Sequence, residues 1–199
     1  MSLTGWLLEQ PLVYRLWMAP FAEAKLAPLA AHNDLARVRR VLDVGCGPGT
    51  NAAHFRDADY LGVDINERYV ADARRRHGRT FLSADITAYQ VTGDPFDCIL
   101  VNSFLHHVDL PSTHRILAHL ATLLPEPGHV HIIELVLPPT TSPARMLAKL
   151  DRGDYPRPLD EWRAIFARHF EPEVFEPYGV GLLGVTLWQF VYFKGRARR

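Results

Sequence analysis

The sequence predicts an α/β protein: a three-layer, doubly wound sheet of about seven mostly parallel strands with an antiparallel last strand, plus an N-terminal helical cover. Three observations carry this. From residue 41 onward, short apolar runs rich in β-branched residues alternate with helical stretches. Those runs are continuously apolar instead of alternating, which is how parallel strands covered on both faces read. Near the end, two strand-forming segments (173–178 and 185–193) flank Gly179, Gly181 and Gly184. That is a hairpin-like return, so the last strand lies antiparallel at one edge.

Each element follows from local chemistry. Residues 41–44 form a buried strand that ends at the cluster Gly45 to Gly49, and residues 50–56 open a helix. Strand 60–63 leads to an amphipathic helix over 67–77, then to strands 80–82 and 96–101. Pro111 starts a helix through residue 124, placed in the first turn where its missing N–H does no harm. Strand 129–137 is entered through Glu126-Pro127-Gly128, and a helix over 160–170 precedes the final strands. Two segments lie outside the alternation. Residues 1–34 read as one or two amphipathic helices broken at Pro11 and Pro20; residues 138–159 hold five prolines and read as a loop with one short helix. Both are candidate covers over the C-terminal edge of the sheet, where open α/β sheets bind ligands. The organisation expected is a single domain over 1–199, made of an N-terminal cover (1–34), a core (41–137), an insertion (138–159) and a final helix with strands (160–193).

Composition narrows the function. The 199 residues carry 22 Lys+Arg against 22 Asp+Glu, which argues against a general nucleic-acid binder, since such a protein carries a basic excess. No uncharged apolar run reaches the ~18 residues of a membrane span, and the first residues lack the pattern of a secretory signal. Two cysteines, Cys46 and Cys98, cannot build a disulfide framework and have no zinc spacing. The expectation is a soluble cytoplasmic protein without a metal. The sequence does not determine its oligomeric state.

The densest signal is Val41-Leu42-Asp43-Val44-Gly45-Cys46-Gly47-Pro48-Gly49-Thr50. A strand runs into Gly-x-Gly-x-Gly and then a helix, so backbone can approach a ligand closely. A dinucleotide fingerprint would need its third glycine at position 50, which is Thr50. Asp43, just before the glycines, would repel a pyrophosphate; it can organise the loop or attract an ammonium or sulfonium group through water. Nineteen residues after Gly45, Asp64 ends the next strand in Gly62-Val63-Asp64-Ile65, where a carboxylate can accept from both ribose hydroxyls. Asp85 in Ala84-Asp85-Ile86 follows the third strand and can meet an adenine amino group. Three acids at three strand ends suit a positively charged nucleoside without phosphates better than NAD.

These motifs, with Phe96-Asp97-Cys98-Ile99-Leu100-Val101-Asn102-Ser103 on the fourth strand and Leu124-Pro125-Glu126-Pro127-Gly128-His129-Val130 leading into the fifth, resemble the class I (Rossmann-like) S-adenosylmethionine-dependent methyltransferases, small-molecule type. The resemblance implies a seven-stranded sheet with an antiparallel last strand. It implies S-adenosyl-L-methionine as cofactor, S-adenosyl-L-homocysteine as product, and a small-molecule acceptor methylated on oxygen or nitrogen. Cofactor contacts are expected at Tyr14, Asp43, Gly45, Cys46 (through its backbone), Gly47, Asp64, Ile65, Asp85, Ile86, Asn102 and Ser103.

Methyl transfer from a sulfonium requires a positioned acceptor and excluded water, and a base only for an acceptor protonated at working pH. The catalytic candidates are His106 and His107, of which at most one should face the acceptor, and Glu134. A carboxylate within an apolar strand is costly unless partnered, so Glu134 either pairs with a basic residue at the sheet edge or faces the site. Acceptor contacts are expected from Trp17 on the first cover and from Arg152, Tyr155 and Arg157 on the second. The basic end, Lys194-Gly195-Arg196-Ala197-Arg198-Arg199, reads as a solubilising, disordered tail. Two alternatives stand beside this reading: an RNA or protein methyltransferase docking through that tail, and a non-catalytic cofactor-binding partner subunit.

Overall fold

The computed structural model describes residues 21–90, 94–151 and 153–198. Seven strands form one sheet: β1 (Arg40–Val44), β2 (Asp59–Asp64), β3 (Thr80–Ser83), β4 (Cys98–Asn102), β5 (His129–Leu135), β6 (Phe170–Leu182) and β7 (Val185–Ala197). Their order is β3-β2-β1-β4-β5-β7-β6. The first five pair parallel, and β7 runs antiparallel between β5 and β6. The predicted fold class is therefore the observed one.

Side chains of successive residues leave the sheet on opposite faces, and two cores result. Leu42, Val44, Ile99, Val101 and Ile132 point to one, where Ile116, Leu117, Trp162 and Phe166 cover them. Val41, Cys98, Leu100 and Ile133 point to the other, against Leu26, Leu29, Val70 and Ala148. The helices of the first face are α3 (Leu110–Leu123) and α5 (Leu159–His169); those of the second are α1 (Ala22–Ala31), α2 (Glu67–His77) and α4 (Pro143–Leu150). Caps fix their ends. Asn66 accepts from Arg68 N and Tyr69 N at the start of α2, while Gly78 closes it at φ 58°. Asp109 and Ser142 play the N-cap part for α3 and α4.

Three expectations change. The helix expected after the glycine cluster is a 3-10 segment, Thr50–His54. Gly179 and Gly181 lie inside β6, and the turn itself is Leu183-Gly184, both at positive φ, as a two-residue hairpin of this hand requires. The basic end is not a disordered tail over its described part. Residues through Ala197 continue β7, with Lys194 and Arg196 both pairing with Glu173 of β6 and Arg198 Nε donating to Phe170 O. The first cover is described only from residue 21, so Tyr14 and Trp17 lie outside the described residues, as does Arg152. No helix among the described residues is long and apolar enough to cross a membrane.

Candidate functional site

A cavity of about 460 Å³ opens at the C-terminal ends of β1 and β4, bordered by Gly45, Gly47, Asn51, Asn102 and Ser103 and roofed by α1. That size suits a small-molecule ligand. The glycine loop is shaped by backbone geometry: Gly45, Gly47 and Gly49 all have positive φ, a region that L side chains rarely adopt. A Cβ on Gly45 would strike the Phe104 ring, whereas one on Gly47 would project into open space. Gly47 is thus where backbone can come closest to a ligand.

Asp43 sits beneath this loop, wholly buried, accepting from the Tyr60 hydroxyl and from Asn51 Nδ2 at 3.0 Å. Burial pushes its carboxyl up to about 7, with the Tyr60 and Asn51 bonds acting the other way. Asn51 Oδ1 in turn accepts from Asn102 Nδ2 at 2.9 Å. The chain Tyr60–Asp43–Asn51–Asn102 therefore ties β2, β1 and β4 into the cavity floor. Asp43 supports the site from behind; of its two expected roles, organising the loop is the one its burial permits.

Asp64, half-buried at the end of β2, takes Gly47 N at 2.8 Å on Oδ2 and Asn66 N at 2.8 Å on Oδ1. One amide per oxygen leaves acceptor capacity on the carboxylate. Ile65 beside it is 75% exposed, an apolar surface available to a flat base. Asp85 is exposed and accepts from Thr87 N and Thr87 Oγ1, which hold its pKa low. Ile86 corrects the expectation: its side chain is a core residue, so nothing of it beyond backbone is available to a cofactor. The Cys46 thiol is buried behind the loop and pushed far above its ordinary pKa by burial, with Asp43 and Asp64 adding to the shift, so it is inert packing.

At the β4 end, Ser103 adopts φ 53°, held by Ser103 N donating to Ile133 O at 2.7 Å. A non-glycine residue in this region stores about 1–3 kcal/mol and is characteristic of functional turns. Asn102 Oδ1 and Ser103 Oγ are buried without a hydrogen-bond partner among the described residues. Both residues border the cavity, so unused polar capacity lies next to it.

The catalytic candidates are placed differently. Glu134 is fully buried, accepting from Phe104 N (2.9 Å) and Leu105 N (2.6 Å) on Oε1 and meeting His106 Nδ1 at 2.7 Å on Oε2. Burial alone would raise its pKa, but His106 and the two amides outweigh this and hold it below the usual range. Of the two expected arrangements, pairing with a basic residue is the one found: the partner is His106, buried beside the C-terminal edge of the sheet, and Glu134 does not border the cavity. His106 is 2% exposed, packed so closely by Gly153 that a Cβ there would collide with its ring. Both are positioning residues for the turn after β4. His107 is exposed, its ring 4.2 Å from that of His106, and is not on the cavity wall.

Arg157, expected to read an anionic acceptor, is 4% exposed and engaged within the protein. It donates to Leu105 O (3.1 Å), Val108 O (2.8 Å) and Tyr155 O (3.3 Å), and pairs with Glu161. Glu134 thus holds the N–H groups of the turn after β4 while Arg157 holds its carbonyls. Tyr155 joins the same clamp, its N–H donating to His106 O at 3.0 Å, with its ring 43% exposed. Sequence reasoning did not assign Lys25, Asn51, His54, Arg76 and His77 to the cavity wall. Lys25 could have been suspected as the lone cation of a helix whose other residues, Glu23 apart, are apolar; the others carry no such mark.

Comparison with known proteins agrees with this geometry. The methyltransferase-domain family model matches residues 41–128, which hold the glycine loop, Asp64, Asp85 and the β4 turn. Over those residues the chain is similar to methyltransferase domains. Over 129 residues the chain is 36% identical to a trans-aconitate 2-methyltransferase of Methylobacterium nodulans, covering 55% of this chain and 50% of that one. Over 84 residues it is 34% identical to a malonyl-[acyl-carrier protein] O-methyltransferase of Enterobacter lignolyticus, covering 41% of this chain and 32% of that one. The chain spans about half the length, or less, of these curated relatives. Among solved structures, mitomycin 7-O-methyltransferase aligns with a TM-score of 0.72 at 19% identity, over 96% of this chain and 60% of that one. The N-methyltransferase NodS from Bradyrhizobium japonicum, in complex with S-adenosyl-L-homocysteine, aligns at 0.67 and 14%, over 93% and 87%. At such identities the likeness is one of fold.

Proposed function

We propose that this methyltransferase domain moves a methyl group from S-adenosyl-L-methionine to a small-molecule acceptor, on oxygen or nitrogen. The observation that carries the reading is the cavity bordered by the glycine loop, with open space at Gly47, and by Asn102 and Ser103 of the β4 turn. These residues fit the cofactor. Gly45, Gly47, Asn102 and Ser103 would hold its amino-acid end, Asp64 its ribose hydroxyls, and Ile65 and Asp85 its base. When bound, the cofactor supplies an electrophilic methyl on a sulfonium. What the chain adds is position and exclusion of water: α1 roofs the cavity, and the Glu134–Arg157 clamp holds the turn that forms one wall. The names of the curated relatives, one acting on trans-aconitate and one on a malonyl group carried by an acyl-carrier protein, favour an acidic acceptor group.

Calorimetric titration with S-adenosylmethionine, S-adenosylhomocysteine and NAD tests this. Micromolar binding of the first two and none of NAD is expected; NAD binding alone would overturn the reading.

A further inference from the structure

Lys25 has no role in the reading so far, yet it is the most unusual charge in the molecule. It lies on α1, is 5% exposed, and lines the cavity together with Gly45, Asn102 and Ser103. Its ammonium makes no hydrogen bond and no ion pair among the described residues; it lies over the face of Phe190, 5.2 Å from Nζ to the ring centroid. A buried ammonium without a partner is costly, and a cation–π contact offsets only part of that. Burial pushes its pKa down to about 8, with Glu134 and Asp151 acting the other way. Neither carboxylate is within ion-pair distance of it, and Glu134 is already saturated by His106 and two amides. Among the described residues, the remaining charged and titratable side chains lining the cavity are Arg76, His54, His77 and one carboxylate, Glu23, the Cys46 thiol lying behind the loop. The cavity therefore offers a donor with three N–H bonds to give, on a wall that also carries the Arg76 guanidinium.

We propose that Lys25 is a carboxylate anchor, receiving the carboxylate of a ligand that enters this cavity. Two ligands can bring that group: an acidic acceptor, or the amino-acid end of the cofactor. The inference rests on the methyltransferase reading for what enters, and its test separates the two sources. A carboxylate at Lys25 would complete the ammonium's hydrogen bonding and place the ligand's charged end under α1, away from the solvent side of the cavity.

Lys25→Met removes the charge while keeping an unbranched chain, and Lys25→Arg restores the charge. Calorimetry on the intact chain compares four probes: S-adenosylhomocysteine, methylthioadenosine (which lacks the amino-acid end), trans-aconitate and its trimethyl ester, the last two with and without saturating S-adenosylhomocysteine. Loss of a charge-assisted bond is expected to weaken one carboxylate probe by at least about tenfold. If S-adenosylhomocysteine weakens and methylthioadenosine does not, the cofactor's carboxylate is the one held. If trans-aconitate weakens and its ester does not, the acceptor's is. In either case Lys25→Arg should recover most of the affinity, and wild-type affinity should fall as pH rises through about 8 while that of Lys25→Met does not. Lys25→Met binding every probe as the wild type does would overturn the anchor. Failure of wild type to bind either nucleoside would overturn the methyltransferase reading but not the anchor, which the acid and its ester test alone. Wild type binding none of the four would overturn both.

Discussion

Two polar clusters sit side by side at the C-terminal edge of this sheet, and their chemistry differs in one respect. Around Glu134, every strong hydrogen-bonding group is matched: two amides and an imidazole on the carboxylate, three carbonyls and a carboxylate on the guanidinium of Arg157. Around the glycine loop, groups are left over: Asn102 Oδ1, Ser103 Oγ, the spare capacity of Asp64 and the ammonium of Lys25. The first cluster is closed and the second is open to a cavity. Ionisable residues gathered at a strand edge are therefore not by themselves a catalytic site. Saturation marks the scaffold, and incomplete saturation beside a cavity marks the place where a ligand belongs.

The comparison breaks most visibly if the closed cluster is opened. Glu134→Ala leaves His106 and two buried amides without an acceptor and should cost about 3–5 kcal/mol of stability, read by denaturant unfolding. Glu134→Gln, which keeps one amide acceptor, should cost less. A loss under about 1 kcal/mol for the alanine variant would mean that the cluster does not hold the turn.

Next in size is a pH effect on the open side. The Asp43 carboxyl stands near 7 in the folded chain, above its unfolded value of 3.8. A raised carboxyl binds its proton more tightly when folded, so stability is greatest below about pH 4 and declines as pH rises toward and through 7. The isosteric Asp43→Asn should remove that decline, on the order of a few kcal/mol, with thermal unfolding at pH 5 and pH 8 as the measurement. Parallel pH profiles for the two proteins would place Asp43 outside this account.

Asp64→Ala should act on binding, weakening S-adenosylhomocysteine more than tenfold, as expected for a lost ribose contact worth about 1.5–3 kcal/mol. Unchanged affinity would remove the ribose assignment. The smallest effect belongs to His107→Ala. An exposed imidazole off the cavity wall should leave stability within about 0.5 kcal/mol and cofactor affinity unchanged. A slower transfer to a hydroxyl acceptor with intact binding would restore the base role that the sequence suggests.

Much of the fold was legible before any coordinates because its determinants are local. Buried parallel strands read as apolar runs, the glycine cluster announces a tight strand-to-helix turn, and α2 was bounded correctly at 67–77 because it carries its own signals, Asn66 and Gly78. The final strand was placed antiparallel for a similar reason, since the glycines near 179–184 signal a return, although the turn itself is only Leu183-Gly184. What local signals did not disclose was length: β7 runs on through Lys194 and Arg196 because Glu173, on the neighbouring strand, pairs with both.

The site divides along the same line. Asp43, the glycines and Asp64 are recognisable in one dimension, because a strand end followed by a close-approach loop is a contiguous feature of the chain. The direction in which a side chain points, and whether another has already claimed it, is not contiguous. Glu134 and His106 stand 28 residues apart and Arg157 lies 52 residues beyond Leu105, so only packing could turn three catalytic or binding candidates into a clamp. Packing likewise left Lys25 buried beside a cavity without a hydrogen-bond or ion-pair partner among the described residues. The sequence by itself determined the sheet, its order of motifs and the glycine loop, through periodicity and backbone freedom. The tertiary structure alone decided which polar groups are satisfied, because desolvation and hydrogen-bond geometry depend on neighbours that the chain brings together only when folded.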